Sequence, residues 1–166
     1  ARFAAGNSKV GAAFDAVRHE VLSQQRDVDH LRNEIVEMRR KVHEGHPNST
    51  LDFDLKHDAG GMVDIEFIVQ FLVLAYSHQY PQLIGNLGNI ALLRIAADVG
   101  LIEVKIAKAV GNAYRLLRAG QHRLRLDGAE KTRIQLGDEP ALIAARDNVI
   151  LLWKEIFKTP SNIDAT

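Results

Sequence analysis

The residues best suited to chemistry lie within residues 53–67, where charged side chains surround a pair of glycines. The candidates to face a nucleotide or a cleft are Lys56, Asp58, Gly60, Gly61, Asp64 and Glu66. Adjacent glycines allow the backbone to form a tight turn. The first N–H groups of the helix that follows have no hydrogen-bond partners within that helix, so they suit an anion. The stretch therefore predicts an extended segment, a turn and a helix start. Lys56 beside the turn could meet a phosphate, but the spacing is not that of a Walker loop, and the residues alone favour an ion pair for it.

The two carboxylates after the turn have alternative interpretations. Asp64 and Glu66 are two residues apart, so they lie on different helix faces, and both are near a helix start, where the dipole stabilises a carboxylate by about 0.3–1 kcal/mol. Glu66 stands between apolar neighbours, where burial would require a partner such as Lys56 or an arginine. Both a buried structural pair and a position facing a nucleotide cleft stay open for Glu66.

The second candidate is a row of cations, here called the basic stripe, which consists of Arg115, Arg118, His122 and Arg125. Steps of three, four and three residues place these side chains on one face of a helix. Few acidic residues balance them, so we expect the stripe to face an anion or a partner protein, either a nucleotide phosphate or an acidic patch. The alternative is a solvated helix face.

Composition excludes several other chemistries. Lysine plus arginine number 21 and aspartate plus glutamate number 21, so bulk charge favours neither nucleic acid nor a membrane as a partner. The chain has no cysteine, which excludes disulfides and thiol catalysis and fits the cytoplasm. His43 and His46 lack further residues to complete a metal site. We therefore expect no metal site in this chain.

The elements that position these residues are predicted to be helices. We expect an all-α fold, a single bundle of about six helices with one short extended segment before the central helix, in a domain of residues 1–160 followed by a tail of residues 161–166. Apolar spacing and turn residues place the helices at about residues 7–24, 27–44, 62–79, 89–99, 103–126 and 138–158. Residues 127–137 are predicted to be a loop.

Two patterns predict which faces are buried. In the second helix, Val28, Leu31, Ile35, Met38 and Val42 form an apolar stripe, and the face that carries Arg39 is predicted to be solvated. In the extended segment, Leu51, Phe53 and Leu55 alternate with Asp52, Asp54 and Lys56, which predicts one buried face made by the apolar residues. The central helix has little polar surface, so we expect its neighbours to surround it.

Residues 53–70 resemble the signature of the helical domain of the glutamine synthetase adenylyltransferase family, with further similarity at residues 38–48, 114–118 and 122–126. The form of the motif resembles the C-terminal, adenylyl-transferring half of these enzymes. The resemblance implies that the full enzyme uses ATP and magnesium to place AMP on a tyrosine of glutamine synthetase, under the control of glutamine and the PII signalling protein. It also implies a helical domain that works with its own nucleotidyltransferase domain.

The family's metal-binding carboxylates follow a Gly-Ser turn as an Asp-x-Asp pair in the nucleotidyltransferase domain. Here the Asp-x-Asp pairs are residues 27–29 and 52–54, and neither follows a Gly-Ser turn. We therefore expect no catalytic residue and no bound cofactor in this chain. It also starts at Ala1 without methionine, so we expect a fragment that is inactive alone and forms a wall of the active-site cleft or a docking surface. Two alternatives are a non-catalytic interaction module and the helical domain of the related PII uridylyltransferase.

Overall fold

The structure, a computed structural model, describes residues 5–137 and 139–158. Asp138, predicted to begin the last helix, and the predicted tail of residues 161–166 lie outside these residues. The described elements are α1 (Ser8–Leu22), α2 (Val28–Gly45), β1 (Phe53–Asp54), α3 (Met62–Tyr76), a 3-10 helix (Pro81–Ile84), α4 (Asn89–Asp98), α5 (Val104–Leu126), β2 (Arg133–Ile134) and α6 (Pro140–Ile156). The predicted all-α fold with a short extended segment before the central helix is confirmed.

Polar side chains cap the N-terminal ends of the first two helices. The side chain of Asn7 accepts a hydrogen bond from the N–H of Lys9 at 2.9 Å. The carboxylate of Asp27 accepts from the N–H groups of Asp29 and His30, both at 3.0 Å. These bonds satisfy N–H groups that have no partner within the helix, which fixes where α1 and α2 start.

Helix α3 lies at the centre of the bundle and contacts α2, α4, α5 and α6. Ile65, Ile68, Phe71 and Leu72 of this helix are almost completely buried. Burial of such a side chain stabilises a fold by about 1.5–3 kcal/mol, so each of these four residues contributes to the stability of the core. The predicted surrounding of the central helix is therefore confirmed. None of the helices in the described part of the chain combines the length and apolar character that a membrane crossing requires.

The predicted faces of α2 are wrong in one turn. Met38 is 52% exposed, whereas Arg39, expected in solvent, is only 7% exposed. Arg39 lies one helical turn after the buried Ile35, so it faces α3, where it meets the carboxylate of Asp64. The ion pair between the two helices replaces the apolar contact that the periodicity predicted.

The extended segment also differs from its predicted pattern. Phe53 and Leu55 are buried as expected, but Leu51 is fully exposed and Asp54 is buried. Asp54 is buried because its carboxylate accepts hydrogen bonds from the turn that follows it. The segment pairs with β2 in antiparallel register, Phe53 opposite Ile134, so the prediction of a loop over residues 127–137 is wrong at this two-residue strand.

Candidate functional site

Aspartate carboxylates hold the turn between β1 and α3. One oxygen of Asp54 accepts hydrogen bonds from the N–H groups of Lys56 at 2.9 Å and His57 at 3.0 Å. One oxygen of Asp58 accepts from the N–H of Asp54 at 2.8 Å and from the side-chain amide of Asn48 at 2.7 Å. The structure therefore uses Asp58, one of the predicted cleft-facing residues, to fold the turn.

The two glycines of the turn serve close packing. Gly60 has a φ of +84°, and a Cβ built there would lie 2.5 Å from Cγ of Arg146 in α6. A Cβ on Gly61 would lie 2.9 Å from the carbonyl oxygens of Lys56 and Asp58. Both glycines are buried, and both positions exclude a side chain because backbone or neighbouring atoms occupy its space.

The start of α3 does not offer its first N–H groups to an anion. The N–H of Met62 donates to the carbonyl of Leu55 at 3.0 Å, and that of Val63 donates to the carbonyl of Lys56 at 3.1 Å. The preceding N–H, on Gly61, donates to the carbonyl of Asp58 at 2.9 Å. These three N–H groups are therefore not free to bind an anion, because the turn folds back and satisfies them itself.

Asp64 is buried in the centre of this arrangement. It forms an ion pair with Nε of Arg39, and its other oxygen accepts from the N–H of Gly60 at 2.7 Å. Arg39 also donates to the carbonyl of His57 at 2.9 Å. Burial raises the pKa of Asp64, although the charge of Arg39 opposes that change. Asp64 therefore joins α2, the turn and α3 together, and neither of its oxygens is directed to solvent.

His57 lies on the outer side of the same turn. Its ring stacks on that of His46 with centroids 4.0 Å apart, and its Nδ1 lies 3.6 Å from the carboxylate of Asp54. Burial lowers the pKa of His57, the charges of His46 and Lys56 lower it further, and Asp54 opposes them. Burial alone would raise the pKa of Asp54, but the N–H groups of Lys56 and His57 hold it below its usual value.

Lys56 and Glu66, two of the predicted cleft-facing residues, are less buried than Asp64. Lys56 is exposed and forms no ion pair with another described residue. Glu66 is half-buried and accepts a hydrogen bond from the hydroxyl of Tyr114 at 3.2 Å, so its partner is a tyrosine, neither a lysine nor an arginine. Burial and the charge of Glu66 raise the pKa of Tyr114. Asp64 and Glu66 lie on different faces of α3, as their spacing predicts.

The basic stripe is exposed along α5. Arg115, Arg118, His122 and Arg125 are all exposed, and none forms an ion pair with a carboxylate in the part of the chain that the structure describes. Arg115 donates to the side chain of Asn112 at 2.8 Å, and the guanidinium of Arg118 lies 5.8 Å from the ring of Tyr114. Four cationic or titratable side chains thus face solvent together with their charge uncompensated.

A groove of about 800 Å³ runs between α4 and α5, and part of the basic stripe lines it. This α4–α5 groove carries the cations Arg94, Lys108, Arg115 and Arg118 and one carboxylate, Asp98. Its other lining residues are mostly small or aliphatic, and they include Ile90, Ala97, Val104, Ala107 and Gly111. Tyr114, the partner of Glu66, lies at the end of the groove where α4 begins.

The structure brings together some predicted residues and leaves others apart. Glu66 meets the groove through Tyr114, while His122 and Arg125 lie along α5 beyond the lining residues. Within the described residues, Lys56 shares no hydrogen bond or ion pair with the basic stripe. Sequence reasoning missed Arg94 and Lys108. Lys108 lies seven residues before Arg115, two helical turns away on the same face, and that spacing was the available signal.

Comparison with known proteins gives a consistent family. A family model described as GlnD PII-uridylyltransferase matches residues 22–146. The chain is 54% identical over 158 residues to the bifunctional glutamine synthetase adenylyltransferase/adenylyl-removing enzyme of Burkholderia mallei, which covers 95% of this chain and 17% of that protein. Identity is 50% over 157 residues for the enzyme of the same description from Aromatoleum aromaticum, with 95% and 16% covered. It is 47% over 157 residues for that of Neisseria meningitidis, with 95% and 17% covered. The chain spans about a sixth of the length of these relatives.

Proposed function

The chain belongs to the GlnD PII-uridylyltransferase family, and on that premise we propose that it is the helical module of an enzyme that transfers AMP from ATP to a tyrosine of glutamine synthetase. The names of the relatives support this reading over uridylyl transfer, because all of those compared above are described as glutamine synthetase adenylyltransferases. In this proposal the enzyme acts in the cytoplasm, uses magnesium, and responds to the PII protein.

The module contributes surfaces to the reaction and leaves the chemistry to a nucleotidyltransferase domain. This division is supported by the aspartates of the central turn. Asp54, Asp58 and Asp64 accept hydrogen bonds from the turn itself or pair with Arg39, so they are committed to the fold. A pair of magnesium ions needs carboxylates that are free to bind them, and the nucleotidyltransferase domain would supply those.

Uncompensated surface charge is the observation that carries the proposal. Lys56 projects from the central turn without a partner among the described residues, and we assign it to the nucleotide cleft. The basic stripe on α5 is also exposed and without ion-pair partners among the described residues, and we assign it to the binding of glutamine synthetase. Unpaired cations attract phosphates and acidic protein surfaces, and they raise rates of association.

A kinetic comparison in the full-length protein tests this assignment. Lys56→Ala should lower kcat/KM for ATP by roughly 10- to 100-fold, because a hydrogen bond to a charged group contributes about 1.5–3 kcal/mol. Lys105→Ala is the matched control, since Lys105 is another exposed lysine, in the first turn of α5 and outside the groove. Adenylylation kinetics that are the same in both variants would overturn the role of Lys56.

Two other functions predict different results in the same experiment. Uridylyl transfer to the PII protein is favoured by the description of the family model, and it predicts incorporation of UMP into PII with no incorporation of AMP into glutamine synthetase. A pure interaction module predicts that Arg118→Ala weakens binding of the partner, while Lys56→Ala changes stability alone. Both substrates and both variants should therefore be measured side by side.

A further inference from the structure

We propose that the α4–α5 groove is a docking site for an acidic amphipathic helix of a partner protein. This inference rests on the proposed function, in which the basic stripe binds a partner protein, and it adds the shape and charge of the partner segment that binds. It adds Arg94 and Lys108, which face the groove from opposite helices together with Arg115 and Arg118.

The groove has the length of a short helix. Its lining residues span α4 from Asn89 to Asp98, and they span α5 from Val104 to Arg118. At about 1.5 Å per residue these stretches are roughly 15 and 20 Å long. A helix of three to four turns matches that length, and a groove that two helices form along one open side suits a third helix laid into it.

The floor of the groove allows close approach. Ala97 and Ala107 are 8% and 6% exposed, and Gly111 is buried with only Ile90 near the position its Cβ would take, at 3.6 Å. Small side chains let two helix axes come nearer than large ones do. Val104, at the far end of the groove, is 65% exposed and offers an apolar contact that nothing in the described chain covers. An apolar helix face therefore has complementary surface here.

Charge selects the partner. Four cations against the single carboxylate of Asp98 give the rim a strong positive excess, and no described residue forms an ion pair with Arg94, Lys108, Arg115 or Arg118. A helix with acidic residues on both sides of its apolar face would meet this rim with opposite charge. A basic or neutral helix would leave the cations unpaired.

The lining argues against a nucleotide as the occupant of the groove. Bases are commonly held by stacking on an aromatic face. Tyr114 is the aromatic residue among those that line the groove, and it is 9% exposed with its hydroxyl bonded to Glu66. The aliphatic floor matches side chains such as leucine better than it matches a ribose.

The test is a selection from a library of displayed helical peptides against the 166-residue chain. We expect enrichment of acidic peptides with apolar residues at helical spacing, and fluorescence anisotropy then measures their affinity. Arg94→Glu combined with Lys108→Glu should weaken binding by about tenfold or more. The control, Lys105→Glu combined with Arg123→Glu, makes the same change of charge on α5 outside the groove and should leave binding within about twofold. Circular dichroism confirms that both variants fold.

Three results of the selection and binding measurements would overturn the proposal. They are the absence of any enriched peptide, enrichment of peptides without acidic character, and equal loss of affinity in the groove and control variants. Displacement of bound peptide by Mg-ATP at micromolar concentration would also overturn it, since the groove would then be a nucleotide site. The proposed function is tested by a different measurement, the incorporation of AMP into glutamine synthetase by the full-length protein, so its failure can be told apart from failure of the groove proposal. If the peptide binds but the full-length protein does not transfer AMP, the docking site is supported and the proposed adenylyltransferase function is wrong.

Discussion

Replacement of Arg39 by methionine probes the contact that most depends on a single buried charge. The side chains of Arg39 and Asp64 are 9% and 6% exposed. Arg39→Met preserves the length of the side chain but removes the charge beside Asp64 and the bond that Arg39 donates to the carbonyl of His57. Asp64 would keep the N–H of Gly60 as a partner, which does not neutralise its charge.

The expected loss in the free energy of unfolding is about 3–5 kcal/mol, the usual cost of leaving one partner of a buried pair uncompensated. For a domain of this size, 1 kcal/mol corresponds to about 2–4 °C in Tm, so the melting temperature should fall by roughly 6–20 °C. The double variant Arg39→Met with Asp64→Asn removes both charges and should recover most of the loss. Urea titration monitored by circular dichroism measures all of these values.

The pH dependence of the single variant is a second, independent readout. Burial raises the pKa of Asp64, and without Arg39 nothing of comparable strength opposes that effect. The folded state then holds a proton at pH values where the unfolded state, with a pKa near 3.9, has released it. The deficit relative to the unsubstituted chain should therefore shrink as the pH falls from neutrality toward the pKa of the unfolded state.

The control for this experiment is the next residue along α2. Arg40 pairs with Glu37 and Glu44 on the surface, with its side chain 55% exposed, so Arg40→Met should leave stability unchanged within error. The reasoning is refuted if Arg39→Met has as little effect as Arg40→Met, or if the double variant is no more stable than the single one.

Three further substitutions test the turn and the groove. Burial lowers the pKa of His57, so the folded state binds fewer protons than the unfolded state just below pH 6.5. The free energy of unfolding should therefore fall as the pH drops through that range. His57→Asn should flatten this dependence of the free energy of unfolding on pH, measured by urea titration at each pH. Gly60→Ala should lower the free energy of unfolding by about 2–5 kcal/mol, because the added Cβ combines a φ of +84° with overlap on Arg146. The control Gly128→Ala, at a φ of +82° with nothing within 4 Å of the added Cβ, should lower it by only about 1–2 kcal/mol. Equal losses in the two variants would show that packing against Arg146 does not matter. Tyr114→Phe removes one hydrogen bond to a carboxylate. Because this bond is 3.2 Å long, the loss in the free energy of unfolding should be near the lower end of the range for a charged acceptor, about 1.5 kcal/mol, and a change near zero would show that the bond contributes nothing.

Local patterns explain the part of the fold that the sequence predicted. Asn7 and Asp27 begin their helices through bonds to residues two or three positions later, so neighbouring residues suffice to locate them. The buried central helix follows in the same way from the apolar character of residues 62–76. The basic stripe was predicted on one face from its spacing, and all four of its residues are exposed.

Contacts between distant residues explain what the sequence did not predict. Arg39 and Asp64 are 25 positions apart, and periodicity assigns an arginine to the surface unless its partner is known. Strand β2 forms because β1, about 80 residues earlier, supplies its hydrogen bonds, and a two-residue strand has no pattern of its own. One wall of the groove is α4, whose Arg94 gains its meaning only beside Lys108 and Arg115 of α5.

Calorimetric titration with Mg-ATP tests most directly whether this chain supplies a wall and leaves nucleotide chemistry to another domain. We expect no binding to the 166-residue chain alone, binding to the full-length protein, and weaker binding to the full-length protein with Lys56→Ala. Micromolar binding of Mg-ATP to the chain alone would contradict this division, because the chain would then hold a nucleotide site of its own. If Lys56→Ala left the affinity of the full-length protein for Mg-ATP unchanged, the assignment of Lys56 to the nucleotide cleft would be wrong.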